Sequence, residues 1–474
     1  MLPERPQNPL HERYASRRMA QLFTARHRFA TWRRLWITLA ECQRELGLPI
    51  REEQLAALRR VAGDTDLERV AEIERQTRHD AVAHLRHFAE QAGDAGAVLH
   101  LGATSMFVVD NTDGLLVRDA LRLLEHRLTG AIRPLGAFAR RHRALPTLAY
   151  THLQPAQLTT VGKRACLWLQ DMLMDLETVR RLAAGLRCRG VKGTTGTQAS
   201  YLELFGGDHE KVVRLDRLVT ERLGFADSYP VTGQTYPRKQ DSQVLGALAG
   251  IAESCHRFGG DVRLLQGLGE LSEPFDRDQV GSSAMAYKRN PVRSERMCSL
   301  ARRVLTDSLN GPLTASLQWL ERSLDDSANR RLVLADSFLT CDALLLLAAS
   351  IGDGLVALES GIAARVAREL PFMATENLLM KASVRGGDRQ QLHERLRRHS
   401  LAAHEAVSRG EPNPLLEAIA GDAEFGLDSD EVLAIARPEA FIGRAPEQVD
   451  EFLAEVLEPA IAGSEELEPE PLRV

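Results

Sequence analysis

Aromatic residues are scarce in this chain of 474 residues, and so are paired cysteines. Phe, Trp and Tyr make up only 5% of it although apolar residues make up 44%, so Leu and Ala fill most of the interior, and both favour helices. The six cysteines form no CxxC pair, which argues against a disulfide framework or a structural zinc. Nothing at the start resembles a signal peptide. We predict an all-α protein of the cytoplasm.

The chain also lacks a strong charge and a long hydrophobic run. Its net charge is −5, and basic residues are interspersed with acidic ones, which argues against nucleic acid as a partner. The most apolar run, 341–350, is about half of the ~20 residues that a membrane span needs. We therefore expect neither nucleic acid nor a membrane among its partners.

Apolar residues recur at three- and four-residue spacing over unusually long segments, which predicts long helices packed as a bundle. The predicted segments are roughly 112–142, a run that opens after Pro155 and passes Leu182, 239–268, 293–323 and 328–357. Shorter helices, broken by turn residues, precede and follow them. We predict three helical domains, at 1–104, 105–358 and 359–474, the last ending in a disordered tail from Ser464.

Three local patterns suggest chemistry, and each has a plainer interpretation. The stretch Gly281–Pro291 is either an ordinary Gly/Ser connector or a loop whose hydroxyls, backbone N–H groups and lysine stabilise an anion or a deprotonated serine. His152, just before Gln154-Pro155, lies at the predicted mouth of a long helix, where a lone histidine is more often structural. Asp80, His84 and His87 share one helical face with metal-ligand spacing, although histidines often recur this way by chance, so we expect no metal.

The Gly281–Pro291 loop resembles the signature loop of the fumarase/aspartase superfamily, with Ala286 where that signature has proline, which predicts a less stiff loop. Two more blocks match that superfamily in order and spacing: Gly102–Ser105 with Asn111–Asp113, and Thr151–Gln157. Further blocks are similar to the adenylosuccinate lyase family of the vertebrate type, and the likeness extends over nearly the whole chain. They are Arg13–Ser16, Arg78–Asp80, Val191–Gln198, Lys288–Pro291, Asp325–Arg331 and Leu370–Asn377.

The resemblance implies a function and an assembly. The family eliminates fumarate from adenylosuccinate to give AMP, and from the succinylated aminoimidazole-carboxamide ribotide of purine synthesis, without a cofactor. It implies a homotetramer whose central helices form a shared bundle, with each active site built from three subunits.

The resemblance also assigns roles by position. His152 is similar to the general acid that protonates the leaving nitrogen, and Ser282 to the general base, which the loop amides and Lys288 must stabilise. His79 resembles a histidine that orients the general acid, and Glu295 is expected to pair with a histidine or lysine. The implied substrate-binding residues are Arg13, Tyr14, Arg78, Asp80, Thr104, Ser105, Gln234, Asn290, Arg296, Arg322, Ser327 and Arg331. Guanidinium forks suit both phosphate and carboxylate groups.

Two alternatives stay open. One is another lyase of the superfamily, such as argininosuccinate lyase or fumarase, which the blocks Asp325–Arg331 and Arg13-Tyr14 disfavour. The other is a non-catalytic structural protein with the lyase fold. The presence of His79, His152, Ser282 and Lys288 disfavours it, because a structural role does not require them.

Overall fold

Helices form nearly all of the secondary structure. The computed structural model describes residues 8–464 together with Glu470 and Leu472. The α-helices are α1 (Arg17–Leu22), α2 (Ala25–Glu45), α3 (Glu52–Val61), α4 (Leu67–Thr77), α5 (Asp80–Ala92), α6 (Ser105–Arg141), α7 (Val161–Gly185), α8 (Ala199–Leu204), α9 (His209–Arg222), α10 (Lys239–Gly267), α11 (Val292–Asp307), α12 (Asn310–Ser316), α13 (Asp325–Gly354), α14 (Glu359–Met373), α15 (Thr375–Val384), α16 (Arg389–Ser408), α17 (Leu415–Ala420), α18 (Ser429–Ile435), α19 (Ala445–Phe452) and α20 (Glu458–Ile461). The all-α prediction is confirmed.

Short elements complete the fold. Strands β1 (Pro146–Thr151) and β2 (Gln154–Thr160) form one antiparallel pair, and β3 (Leu271–Ser272) and β4 (Val356–Ala357) form another. Single turns of π-helix lie at Leu10–Tyr14 and Leu453–Leu457. Turns of 3₁₀-helix lie at Gly93–Val98, Ala423–Phe425 and Pro438–Phe441.

The core is a bundle of long helices. Helices α6, α7, α10, α11 and α13 pack side by side, and their apolar stripes meet in one continuous cluster. Leu128, Leu169, Leu248 and Leu344, one from each of four of these helices, are at most 1% exposed. Full burial of one such side chain stabilises the folded state by about 1.5–3 kcal/mol. The bundle thus supplies a rigid frame, and the loops, the β1–β2 hairpin and the helix ends around it carry the predicted site residues.

The helix expected to open after Pro155 begins later. Residues 146–160 form the β1–β2 hairpin, and α7 begins at Val161 with Thr160 as its N-cap, whose Oγ1 accepts from Lys163 N at 3.1 Å. Pro155 is compatible with a short two-stranded edge because a proline there need not donate a ladder hydrogen bond. The neighbouring threonines favour extended backbone. The prediction for this segment was therefore wrong by about six residues.

The segment 293–323, predicted as one helix, contains two. Helix α11 ends at Asp307, α12 ends at Ser316, and the residues up to Leu324 form turns. At the junction the Ser308 hydroxyl donates to Leu305 O, and the Asn310 amide donates to Asp307 O. Such side chains compete with helical hydrogen bonds and favour a break.

The C-terminal third has a second core. Ala374, Leu378, Leu392, Leu415 and Phe425 belong to an apolar cluster separate from the bundle. The final helices return to the main core through residues such as Val449 and Leu457. The three-domain division stays a prediction, and the predicted disordered tail lies almost entirely outside the described residues.

Helix α13 is both long and rich in apolar residues. By length and composition it passes as a membrane span, but 72% of its most apolar window is buried inside the protein. That degree of burial is typical of a core helix. The six cysteines are unpaired, and all except Cys166 are buried.

Candidate active site

His79, Asp80, Ser105 and Arg331 come together at one end of the bundle. The His79 imidazole caps α5, where its Nδ1 accepts from Val82 N at 3.4 Å, and its Nε2 lies 3.3 Å from Ser105 Oγ. Arg331 Nη2 donates to Asp80 Oδ2 at 2.7 Å. Burial raises the pKa of Asp80, but the Arg331 hydrogen bond and others outweigh it and leave that pKa below its usual value. The structure thus joins four predicted residues from distant parts of the chain.

Two other predicted residues flank this group. Arg78 is the exposed C-cap of α4 and has a left-handed backbone with φ of 54°. Thr104 is the half-buried N-cap of α6, directly before Ser105. Arg78 and Thr104, which are adjacent in sequence to His79 and Ser105, therefore lie at the helix ends where this group of residues forms.

The possible metal ligands of α5 have other partners. Asp80 pairs with Arg331, and the His84 ring lies 3.7 Å from the Phe29 ring centroid. Burial lowers the pKa of His84 to about 4. His87 Nε2 accepts from Asp66 N at 3.1 Å. Within residues 8–464, no group of three His, Cys, Asp or Glu side chains has the arrangement of a metal site.

Gln234, Arg322 and Ser327 lie around a tight crossing of two loops. Gln234 N donates to Glu321 O at 2.9 Å. A Cβ at Gly233 would stand 2.5 Å from the same carbonyl oxygen, so glycine is needed for the two backbones to approach this closely. Arg322 is half-buried beside this crossing, and Ser327 lies in the first turn of α13.

A buried ion-pair network supports that crossing. Asp326 is 1% exposed and accepts from Arg322 Nη1 and Arg238 Nε, both at 2.6 Å. Arg238 also donates to Asp110 at 3.0 Å. Burial opposes ionisation of Asp326, but the two guanidinium groups hold the pKa of this carboxyl below its usual range. Arg322 therefore has a fixed anchor beneath the site.

The signature loop contains Ser282, Lys288 and Asn290. Ser282 Oγ accepts from Ala284 N at 3.3 Å and from Met285 N at 3.1 Å. Asn290 Nδ2 donates to Gly281 O at 2.8 Å, which closes the loop. A Cβ at Gly281 would stand 2.0 Å from Lys288 O, so glycine is also needed here for the two backbone segments to approach this closely. Lys288 is exposed.

Tyr14, Arg296 and Glu295 lie where the N-terminal segment meets the start of α11. The Arg296 guanidinium is 6.0 Å from the Tyr14 ring centroid, and Arg13 is exposed on the same π-helical turn. Glu295 is exposed in the first turn of α11. Its predicted pairing with a histidine or lysine stays a prediction.

His152 lies at the tip of the β1–β2 hairpin, not at a helix mouth. It forms a two-residue turn with Leu153, and the φ values of 53° and 58° are those of a type I′ turn. A left-handed backbone is costly for leucine and acceptable for histidine. Both side chains are exposed, so the hairpin presents His152 outwards.

These groups stay apart within one chain. Among residues 8–464, no hydrogen bond or ion pair joins His152 or Ser282 to His79, Arg322 or Arg331. The chain therefore carries four sets of predicted residues at exposed or half-buried positions, together with the Tyr14 contact.

Comparisons with known proteins find relatives over nearly the whole chain. The family model described as Lyase matches residues 13–306, and the one described as Adenylosuccinate lyase C-terminus matches residues 371–452. Adenylosuccinate lyase of Saccharomyces cerevisiae is 47% identical and covers 94% of this chain and 93% of its own length. That of Schistosoma mansoni is 46% identical, with coverages of 97% and 96%.

The chain belongs to the adenylosuccinate lyase family. It is accordingly a lyase, and the family resemblance seen in the sequence is confirmed. The 3-carboxy-cis,cis-muconate lactonizing enzyme of Pseudomonas putida has the same fold, with a TM-score of 0.82 at 22% identity over 94% of this chain and 99% of its own. A fumarate lyase of Mesorhizobium sp. BNC1 gives 0.78 at 22%, over 95% and 100%.

The buried network beneath Arg322 was not predicted from the sequence of this family member. Asp110, Asp326 and Arg238 were not singled out, although Asp326 stands on the face of α13 that also buries Arg330, Val333 and Ser337. That spacing was a usable signal. The presence of charged residues was no signal by itself, because the same residue types are mostly found on the protein surface.

Proposed function

We propose that the protein eliminates fumarate from adenylosuccinate to leave AMP, and from the succinylated aminoimidazole-carboxamide ribotide in the same way. Ser282 removes the proton from the carbon beside a carboxylate, the electron pair moves toward that carboxylate, and the carbon–nitrogen bond then breaks. His152 gives a proton to the departing nitrogen. Family membership supports this assignment.

The observation that carries the proposal is the environment of Ser282 Oγ. An unactivated serine is too weak a base for a carbon acid, so its alkoxide must be stabilised. Two backbone N–H groups of the same loop already point at this oxygen, at 3.1 and 3.3 Å. Lys288, six residues along the loop, adds a positive charge for the alkoxide and the dianionic intermediate.

The proposed assembly is a homotetramer with sites shared by three subunits. The segment around α12 exposes a run of large apolar side chains, including Leu309, Leu313, Trp319, Leu320 and Leu324, at 60–96%. Exposed apolar surface of this extent marks an interaction site. Among the described residues, no hydrogen bond or ion pair joins His152 to Ser282 within one chain, which also fits a site completed by neighbouring subunits. We further propose a cytoplasmic location, in keeping with six free thiols.

The deciding experiment follows ultraviolet absorbance while the purified protein is incubated with adenylosuccinate, argininosuccinate or malate. Conversion of adenylosuccinate alone to AMP and fumarate is the expected result. Turnover of argininosuccinate or malate instead would place the chain in another branch of the superfamily. A folded oligomer with no turnover of any of the three would favour the non-catalytic alternative.

Variants test the two roles. Ser282→Ala and His152→Gln should each lower kcat by about 10²–10⁴-fold, the range for loss of a general acid or base. Ser283→Ala is the matched control, because it removes the adjacent loop hydroxyl and should keep near-native turnover. Substantial activity in Ser282→Ala, or an equal loss in Ser283→Ala, contradicts the base assignment.

A further inference from the structure

Glu270 is a fully buried carboxylate that no role above explains. It lies between α10 and β3, and its exposed fraction is 0%. Its oxygens accept from four side chains: Thr147 at 3.1 Å, Tyr150 at 2.6 Å, Arg164 at 3.4 Å and Arg365 at 3.1 Å. A buried carboxylate with this many donors is held in a fixed position. We call Glu270 and its four donors the Glu270 joint.

Two of these donors belong to the hairpin that carries His152. Thr147 and Tyr150 are on β1, and Tyr150 stands two residues before His152. The β1–β2 register shifts between the pairs Leu148–Leu158 and Tyr150–Pro155, an irregularity of the kind that redirects side chains. Burial and the Glu270 hydrogen bond raise the pKa of Tyr150, so its hydroxyl stays a donor.

The other two donors connect the joint to the frame. Arg164 is on α7 and also donates to Leu148 O, while Arg365 is on α14 and also donates to the Tyr150 hydroxyl at 3.2 Å. The hairpin also borders a cavity of about 540 Å³, whose lining includes Tyr150, Arg164 and residues of α19. Leu148 and Leu158 pack the hairpin into the main core, and the Glu270 joint adds the buried polar contacts that hold β1 to α7 and α14.

The segment that carries Glu270 also closes the base of the signature loop. Three residues on, Glu273 accepts from Arg293 N at 2.9 Å and from the Ser294 hydroxyl at 2.6 Å. Gln266 accepts from Glu273 N at 3.0 Å and donates to Arg289 O at 2.9 Å. Pairing of β3 with β4 holds the segment itself. The Glu270 segment thus contacts both the hairpin that carries His152 and the base of the loop that carries Ser282, the two residues to which the proposed function assigns proton transfer.

We propose that Glu270 is a positioning residue that acts through Tyr150 to hold the hairpin, and with it His152, in the orientation for proton transfer. This inference rests on the proposed general-acid role of His152. Misplacement of a reacting group by about 1 Å can cost on the order of 10²-fold in rate. Loss of the joint therefore lowers the rate of chemistry and leaves substrate affinity nearly unchanged.

The test uses Tyr150→Phe in the full-length oligomer, because it removes one hydroxyl and leaves the buried charges paired. We expect kcat to fall by about 10-fold or more and KM to change by less than about 3-fold. Tyr229→Phe is the matched control: it removes a hydroxyl that donates to Gln240 at 3.0 Å elsewhere in the protein, and it should change neither constant. Glu270→Gln is a second variant, expected to lower kcat at least as much.

A double variant separates positioning from a general structural effect. If Tyr150 acts only through His152, adding Tyr150→Phe to His152→Gln should change the residual kcat by less than about 2-fold. An equal fall in both backgrounds, or no fall in the single variant, overturns the inference. Native turnover in His152→Gln itself would instead refute the general-acid assignment, so the two failures are distinguishable.

Discussion

At the scale of single residues, Asp175 has a carboxyl group in surroundings that disfavour its charged form. It faces α10 from α7, is 9% exposed, and accepts one hydrogen bond, from the Ser254 hydroxyl at 2.6 Å. Burial and the nearby Asp171 and Glu253 raise its pKa from 3.8 to about 7. Among residues 8–464 no basic side chain forms an ion pair with Asp175, so this group makes stability depend on pH.

The raised pKa sets the sign of that dependence. The folded protein keeps the proton that the unfolded chain releases, so the contribution is fully present below about pH 4 and is lost as pH rises to about 7. Asp175→Asn cannot ionise, and it should be more stable than the parent by about 2–4 kcal/mol at pH 8 and nearly equal to it at pH 4. Thermal midpoints at the two pH values measure this difference. Glu177→Gln, at an exposed position of the same helix, should show no such change.

Asp326 shows the opposite case, a buried carboxylate with two guanidinium partners. Asp326→Ala leaves Arg322 without its anchor and Arg238 with one carboxylate fewer, and it should lower the free energy of unfolding by about 3–5 kcal/mol. Asp325→Ala is the matched control, since that carboxylate is exposed in the same helical turn and should cost about 1 kcal/mol or less. Urea unfolding of both variants makes the comparison. Equal small losses would contradict the buried network.

At the scale of elements, the boundary between hairpin and helix is open to a direct test. Thr160→Ala removes the N-cap of α7 and should lower the free energy of unfolding by about 1 kcal/mol. Thr178→Ala, in the interior of the same helix, should change it by about 0.5 kcal/mol or less. If α7 instead began near Pro155, Thr160 would also be an interior residue and the two variants would behave alike. Denaturant midpoints distinguish these results.

At the scale of the whole molecule, the arrangement of the site predicts complementation between subunits. His152→Gln and Ser282→Ala oligomers, dissociated together and allowed to reassociate, should regain roughly a quarter of native activity, because about one site in four then combines an intact hairpin with an intact loop. Ser282→Ala mixed with Lys288→Met is the control. Both changes affect one loop, so no activity should return.

Failure of the first mixture to regain activity, with mixed oligomers present, would place His152 and Ser282 in the same subunit. Mass measurement of the native oligomer, made alongside the assay, shows whether mixed assemblies formed.

Patterns of neighbouring residues predicted much of this protein. The stripes that predicted α6, α10 and α13 depend on contacts between successive turns of one helix, and the helical class followed from the abundance of Leu and Ala. The signature loop and the other family blocks were also visible as short contiguous motifs. These features are local, because each depends on residues a few positions apart.

Tertiary contacts decided the remainder. Strand β2 of the His152 hairpin replaces the first turns of the helix that was predicted to open after Pro155, and the hairpin's anchor Glu270 lies 120 residues away from Tyr150 in sequence. Asp326 and Arg238 are separated by 88 residues, and although the spacing of Asp326 along α13 was a signal of burial, nothing in either local sequence identifies the other as its partner. Whether a charge is buried, and which group pairs with it, depends on long-range packing. For that reason the residues that position the site became apparent only in the folded chain.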